Sequence, residues 1–355
     1  MAQVTGTEVM VGVRKSAAKL SLQERDQFLE AVLRLKHRPV PNGPAGFSLY
    51  DQFVALHGAV MAVRMPGAST TTNFGHWNPG FCPWHREYLL RFERALQGEV
   101  PGVTLPYWDW SEHLDAQRSV FTSDFLGPLM NGSPSPMPSG VLGHDGPLPK
   151  PAWWPAGAKG FRIHPRLQEI EAASPTVRAT LHRGSVGESW PPSRNELEQL
   201  TSVDRRVRKT HHFWFFWAML EQGLDSVRRT HNAGHRFIGG HMGGAFSPND
   251  PVFWLHHANV DRLWARWQAT MLAAHPGTTH AHHYPSREDR NPFGGDLLPA
   301  GHHQDDLMWP WVGDASGYAP ADAAYLPLLT GMEQRPARRV REVFDIDALG
   351  YSYEP

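Results

Sequence analysis

The sequence NDPVFWLHHANVDR at residues 249–262 carries the strongest helix signal in the chain. Its apolar residues recur at intervals of three and four, as on one face of a helix, and Pro251 suits a first helical turn. The pattern continues to Trp267, so it predicts a helix that begins near Pro251. His257 falls within this core-directed helix, where a buried imidazole needs a partner.

The same periodicity predicts four further helices in the rest of the chain. They cover Leu22 to Leu35, Phe47 to Val63, Pro83 to Leu96, and Asp204 to Leu224. The first has a start signal, because Ser21 is followed three residues later by Glu24, as in a capping box. Proline- and glycine-rich stretches, chiefly residues 127–160, cannot continue a helix and predict long ordered loops. We expect a mainly α fold.

The chain offers no convincing linker between two domains. We therefore expect a single domain of residues 1–355, with a core of about residues 20–270. Residues 274–355 should wrap back on that core.

Composition argues against several classes of protein. The formal charge is -1, and the one basic cluster, at residues 335–341, is short and interrupted, which argues against nucleic acid as a partner. The longest strongly apolar run, residues 213–220, is far shorter than a membrane span. No secretory signal is visible, so we expect a cytoplasmic protein, or one exported together with a partner. The single cysteine excludes disulfide frameworks and thiolate metal sites.

Histidine is unusually frequent, with 21 copies beside 14 tryptophans. Two sets of three stand out: His57, His76 and His85, then His231, His235 and His257. His231 and His235 are four residues apart, so on a helix both rings share a face, although a surface or capping pair would show the same spacing. Neither set contains the acidic residues of di-iron bundles or the H-E-x-x-H motif of zinc proteases. Each set could hold one ion of copper, zinc, iron or nickel, which accept imidazole ligands.

The histidines stand inside long motifs. The first region holds His57, HWNPGFCPWHR at 76–86, FERAL at 92–96 and LPYWDW at 105–110. The second holds HNAGH at 231–235, GGHM at 239–242 and the stretch at 249–262, and LGYSY at 349–353 follows near the end. In these motifs the chain resembles the bacterial tyrosinases, which belong to a binuclear copper family with the catechol oxidases and haemocyanins. The resemblance covers most of residues 20–270.

The resemblance implies two copper ions on or beside a four-helix bundle, with dioxygen as co-substrate. The first copper would be bound by His57, His76 and His85, and the second by His231, His235 and His257. The implied reaction is ortho-hydroxylation of small monophenols and oxidation of o-diphenols to o-quinones, the precursors of melanin-like pigments.

Further site residues follow from the resemblance. Asn232 matches the family's asparagine and Glu221 its glutamate, which together favour removal of the phenolic proton, a group with a pKa of about 10. A solvated carboxylate at a helix end is the alternative for Glu221. Arg236, Ala245 and Phe253 would line the substrate pocket, and a small side chain at Ala245 predicts an open one.

Three alternatives remain open from the sequence. An oxidase restricted to catechols or o-aminophenols would keep the same ligands without the base chemistry. A dioxygen carrier resembling haemocyanin would hold the same copper pair behind a blocked mouth. A structural zinc protein or a metal-free helical protein is the third.

The remaining histidines are expected outside the ligand set. His211, His212, His241 and His256 should pack around the site, and Cys82 should be a free buried thiol because its position departs from the thioether pattern of some relatives. Six further histidines form a loose cluster in the C-terminal tail: His275, His280, His282, His283, His302 and His303. Most of them should be solvated, and copper delivery is the alternative role. The family also suggests a caddie protein that delivers copper.

Overall fold

The computed structural model describes residues 12–112, 114–130, 135–137, 140–143, 145–171, 180–184, 191–202, 212–223, 230–290, 302–332 and 336–355. Its helices are α1 (Leu22–His37), α2 (Leu49–Ala59), α3 (Phe81–Glu99), α4 (Leu114–Val120), α5 (Pro165–Glu171), α6 (Arg194–Thr201), α7 (His212–Glu221), α8 (Thr230–Ile238) and α9 (Val252–Ala274). The strands are short: β1 (Gly12–Arg14), β2 (Val63–Arg64), β3 (Thr71–Thr72), β4 (Ser135–Pro136), β5 (His182–Arg183), β6 (Ala319–Pro320) and β7 (Tyr351–Tyr353). The expectation of a mainly α fold is confirmed.

The first two helices begin at serine caps. Ser21 and Glu24 form the capping box that the sequence predicts at the start of α1. The start predicted for α2 at Phe47 is wrong, because Ser48 caps the helix through the backbone N–H of Asp51. Its predicted end at Val63 is also wrong, since the helix stops at Ala59 and Val63 lies in β2.

The helices that carry the decisive motifs are longer than predicted. Helix α3 begins at Phe81 rather than Pro83, because proline is tolerated throughout a first turn. Helix α9 begins at Val252, next to the predicted start, and continues beyond Trp267 to Ala274. The helix predicted from Asp204 to Leu224 is described only as α7, and residues 203–211 and 224–229 lie outside the described residues.

The histidine-bearing helices pack around one core. Helix α3 packs against α1 and α9, α1 against α2, and α8 against both α7 and α9. The interior between them is aromatic: the rings of Phe92 and Trp254 stack with centroids 3.5 Å apart. The rigid packing of these helices fixes the directions in which their histidines project.

A buried polar network joins the two ends of the described chain to the bundle. The strands β1 and β7 pair in parallel. Asp261 of α9 accepts hydrogen bonds from Arg86 of α3 at 2.5 Å, from Arg14 of β1 at 3.2 Å and from the hydroxyls of Tyr351 and Tyr353, both at 2.6 Å. The C-terminal strand is thereby anchored on the helices, although the extent of a single domain stays a prediction.

Among the described residues, none of the helices has the length and apolar character needed to span a membrane.

Candidate metal centre

Two groups of buried imidazoles lie at the centre of the bundle. The first consists of His57 on α2, His76 in the loop before α3, and His85 on α3. The second contains His231 and His235 on α8 together with His256 and His257 on α9. Within each group, one ligand atom from every residue lies within 4.8 Å of the others. The six histidines singled out in the sequence thus gather in two sets of three, and the structure adds His256 beside the second.

The two groups adjoin each other. The rings of His85 and His257 stack with centroids 4.3 Å apart and planes within 12° of parallel. Phe253 lies against both groups, with its ring centroid 5.0 Å from that of His57 and 4.2 Å from that of His257. Phe253 is fully buried and therefore supports the imidazoles from the core side.

Hydrogen bonds at the Nδ1 atoms orient the rings. Nδ1 of His57 donates to the carbonyl of Ala245 at 2.6 Å, Nδ1 of His85 to Phe81 at 2.8 Å, and Nδ1 of His235 to Met242 at 2.7 Å. A carbonyl oxygen only accepts, so each Nδ1 carries the proton and each Nε2 presents a lone pair. This arrangement is the one that metal-binding histidines use to fix their tautomer.

The Nε2 atoms of the second group converge. His235 Nε2 lies 2.9 Å from His231 Nε2, and His257 Nε2 lies 3.2 Å and 3.3 Å from those of His231 and His235. Two nitrogens bound to one ion at about 2.0 Å in tetrahedral geometry would lie roughly 3.3 Å apart. The spacing therefore suits three ligands of one metal ion.

The first group leaves ring nitrogens without protein partners. His57 Nε2 and His85 Nε2 are buried and have no hydrogen-bond partner, although buried polar atoms are nearly always satisfied. A metal ion would satisfy both atoms. The donor set of neutral nitrogens fits copper, and the residues present therefore fit the copper pair that the resemblance implies.

Burial keeps these imidazoles neutral. It lowers the pKa of His57 to about 3 and that of His235 to about 4. Burial also lowers the pKa of His76, His85, His231 and His257 well below the ordinary value, with neighbouring imidazoles adding to the effect. At neutral pH the rings are uncharged and can ligate a cation.

A cavity of about 380 Å³ opens onto both groups. Its wall includes His57, His76, His231 and His235, and also Met61, Trp77, Glu221, Asn232, Arg236, Met242, Gly243, Gly244, Ala245 and Ser247. Four of the predicted site residues, Glu221, Asn232, Arg236 and Ala245, therefore face the same space as the imidazoles. Phe253 lies behind the imidazoles instead of in this wall.

The two polar residues predicted for proton transfer lie close together. Asn232 accepts a hydrogen bond from Nδ1 of His231 at 2.7 Å and donates one to the backbone carbonyl of Glu221 at 3.1 Å. Glu221 is 1% exposed, so a solvated carboxylate is excluded although the residue ends α7. Its Oε2 accepts from the backbone N–H of Trp77 at 2.9 Å and from the indole of Trp217 at 2.5 Å, while Oε1 has no partner.

Burial dominates the electrostatics of Glu221. It raises the pKa of this carboxyl to about 8, against the opposing hydrogen bonds from Trp217, Trp77 and Asn78. Its proton affinity is therefore much closer to that of a phenol than an ordinary carboxylate's.

The remaining histidines divide between packing and surface. His241 accepts a hydrogen bond from the backbone N–H of His182, and burial lowers its pKa to about 4. His256 packs between Gly234 and the indole of Trp110, with ring centroids 5.0 Å apart in the latter pair. His211 and the side chain of His212 lie outside the described residues.

The expectation that most of the tail histidines are solvated is wrong. His283, His302 and His303 are only 2%, 3% and 5% exposed, because the C-terminal segment packs onto the helices. His302 Nε2 donates to the carbonyl of Asn73, in the loop that carries His76. His282 is exposed, while His275 and His280 are half-buried. The free buried thiol expected at Cys82 is confirmed.

Comparisons with known proteins agree with this geometry. The family model "Common central domain of tyrosinase" matches residues 48–270. A tyrosinase of Streptomyces glaucescens is 36% identical over 267 residues, covering 75% of this chain and 84% of its own. The grixazone synthase of Streptomyces griseus is 34% identical over 290 residues, covering 76% of this chain and 87% of its own.

Solved structures share the fold. A polyphenol oxidase of Thermothelomyces thermophila superposes with a TM-score of 0.60 at 22% identity, covering 97% of this chain and 88% of its own. A functional unit of octopus haemocyanin superposes with a TM-score of 0.55 at 20% identity, covering 97% of this chain and 68% of its own. The match to the family model and the identity to the Streptomyces enzymes show that the chain belongs to the tyrosinase family and is a type-3 copper phenol oxidase that uses dioxygen.

Proposed function

We propose that this enzyme hydroxylates monophenols at the ortho position as well as oxidising o-diphenols to o-quinones. The observation that carries the proposal is the pair Glu221 and Asn232 in the wall of the cavity that opens onto the imidazoles. A monophenol must lose a proton with a pKa of about 10 before it can react, so the first step calls for a base at this place.

The proposal assigns the copper ligands as follows. His57, His76 and His85 hold one ion, and His231, His235 and His257 hold the other. When bound, the copper pair supplies the activation of dioxygen. Delivery of copper by a caddie protein stays a prediction of the resemblance, and it is tested by whether copper salts alone give the purified protein its full activity.

Glu221 and Asn232 would act on the phenol proton. Oε1 of Glu221 has no protein partner and belongs to a residue in the cavity wall, so the ionised carboxylate can accept the proton directly or through one water. With a pKa of about 8, this ionised form increases as the pH rises toward that value. The indole of Trp217 and the backbone N–H of Trp77 hold the other oxygen in place. Asn232 ties the backbone at Glu221 to Nδ1 of His231, which keeps the base at a fixed distance from the second group.

The cavity admits a substrate ring. Ala245 and Gly244 in its wall are small, and Met61 and Met242 add apolar surface. Such a wall suits a phenol, whose ring is apolar and whose hydroxyl would face the imidazoles that hold the copper pair.

The test uses copper-loaded protein and measures oxygen uptake with tyrosine, a catechol and an o-aminophenol. Glu221→Gln and Asn232→Ala should each lower the turnover of tyrosine more than that of the catechol, by about 10²- to 10⁴-fold where the base is lost entirely. Glu112→Gln is the matched control, because burial also raises the pKa of that carboxyl but the residue lies outside the cavity wall. Equal losses for tyrosine and catechol would show that the two residues only support the fold.

The second candidate function is an oxidase of catechols or o-aminophenols that cannot hydroxylate monophenols. The same imidazoles would serve it, so the ligand set does not distinguish the two. Absence of tyrosine turnover in protein that carries two copper ions and oxidises catechol would establish this alternative and exclude the monophenolase.

A further inference from the structure

Trp77, which follows the ligand residue His76, has an unusual setting. The residue is 55% exposed, although it lies in the wall of the 380 Å³ cavity. Its φ is 61°, in the left-handed region that bulky side chains almost never adopt. Strained backbone of this kind persists where surrounding contacts over-determine it, and such places are commonly functional sites.

Hydrogen bonds on both sides hold the loop in this conformation. Asn73 Oδ1 accepts from the backbone N–H groups of Gly75 at 3.0 Å and His76 at 2.9 Å. The side-chain amide of Asn78 donates to the carbonyl of His76 at 2.5 Å and to that of Asn73 at 2.9 Å. Trp77 itself donates its N–H to Glu221 at 2.9 Å. These hydrogen bonds fix the backbone, while Trp77 itself is exposed and forms part of the wall of the cavity.

The cavity extends beyond the space that one phenol ring fills. Its volume falls within the range of about 300–1,000 Å³ typical of sites for drug-sized ligands. Gly243 and Gly244 form part of its wall, and a Cβ built on Gly243 would meet no atom within 4 Å. The wall therefore leaves open space at Gly243, in the same cavity that Trp77 lines.

We propose that Trp77 is a specificity-determining residue, which stacks its indole on a second aromatic ring carried by the phenol opposite its hydroxyl. The inference rests on the phenol site proposed above and names its preferred substrate class: aryl-substituted phenols and catechols. Aromatic stacking beyond area burial amounts to about a 2- to 10-fold change in binding.

The experiment compares Trp77→Ala and Trp77→Phe in copper-loaded enzyme with 4-phenylcatechol and 4-methylcatechol. Catechols are used because their oxidation does not depend on the base proposed at Glu221. Trp77→Ala should raise the ratio of the KM for 4-phenylcatechol to that for 4-methylcatechol by about 2- to 10-fold, and Trp77→Phe should raise it less because a stacking face remains. Leu326→Ala removes an apolar side chain of similar exposure, 53%, outside the cavity wall, and should leave the ratio unchanged.

A purely structural role of Trp77 would change both KM values in proportion, and an unchanged ratio in Trp77→Ala would overturn the proposal. So would an equal effect of Trp77→Phe and Trp77→Ala. Calorimetric titration with 4-phenylbenzoate and benzoate measures the same contact without turnover, and Trp77→Ala should weaken only the former. If the unmodified enzyme oxidises both catechols but not tyrosine, the monophenol hydroxylation proposed above fails, and the KM ratio for the catechols still decides this inference.

Discussion

Gly234 tests how tightly the second histidine group depends on helix packing. It lies on α8 between His231 and His235, two of the proposed copper ligands. A Cβ at this position would lie 2.4 Å from Cε1 and 2.7 Å from Nδ1 of His256 on α9, distances that packed atoms do not tolerate. The His256 ring cannot retreat easily, because the buried indole of Trp110 lies 5.0 Å away, centroid to centroid. In Gly234→Ala, α8 must therefore move away from α9.

Two opposing free-energy terms determine how much Gly234→Ala changes the stability of the protein. Overpacking of a well-filled core costs about 1–3 kcal/mol, and alanine recovers up to about 1 kcal/mol of helix propensity relative to glycine. We expect Gly234→Ala to lower the free energy of unfolding by up to about 2 kcal/mol. The larger effect falls on metal binding, because a site needs its ligands held to within about 0.5 Å and the shift separates His231 and His235 from His257.

The assay pairs urea unfolding of metal-free protein with titration of bound copper. Gly98→Ala is the matched control, since Gly98 lies on α3 and a Cβ there meets nothing within 4 Å. This control should stabilise the protein by up to about 1 kcal/mol and bind copper normally. If Gly234→Ala were as stable as Gly98→Ala and bound two copper ions with unchanged affinity, the packing argument for the second group would be refuted.

Three further predictions concern the buried charges and the ligands. Asp261→Ala should lower the free energy of unfolding by about 3–5 kcal/mol in a denaturant titration, because it leaves the buried guanidinium group of Arg86 without its carboxylate partner, whereas Arg14 keeps its salt bridge to Glu93. Burial alone would raise the pKa of Asp261, but the charges of Arg86 and Arg14 outweigh burial and lower the pKa. The stability that Asp261 contributes is therefore fully present above about pH 4 and is lost progressively as the pH falls below that value. The difference in unfolding free energy between the unmodified protein and Asp261→Asn should narrow over the same range. His57→Ala should remove the copper of the first group by metal analysis and leave that of the second, whereas the exposed His282→Ala should change neither.

Local patterns were sufficient for the helices of the decisive motifs, and they singled out six histidines that the structure brings together. The capping box at Ser21 and the periodicity around His85 and His257 are short-range features, and the corresponding helices appear where the sequence places them. The boundaries of α2 could not be read in this way. The apolar run from Phe47 to Val63 does not break where the helix ends, and the end is set when the chain turns to pair β2 with β3.

Burial of the tail histidines was not predictable from their neighbourhood in sequence. His302 and His303 stand in a polar, loop-like segment, which locally resembles a solvated tail. They are buried because residues far away in the sequence receive them: His302 donates to the carbonyl of Asn73, and the hydroxyl of Tyr284 donates to the carbonyl of Pro79. Long-range pairs of this kind leave no periodic signal in the chain.

The same limit explains why the position of Trp77 in the cavity wall was missed. The motif at residues 76–86 marks His76 and His85 as ligands, but nothing in its composition indicates that Trp77 takes a positive φ. That conformation is held by hydrogen bonds of Asn73 and Asn78 within the loop and by one to Glu221, which lies 144 residues further along the chain. The spacing of the histidines within each motif is a local feature, so the sequence alone indicates which imidazoles could bind an ion together. The wall of the cavity, in contrast, is assembled from residues that are distant in sequence, such as Trp77 and Glu221, so its shape cannot be predicted from either motif alone.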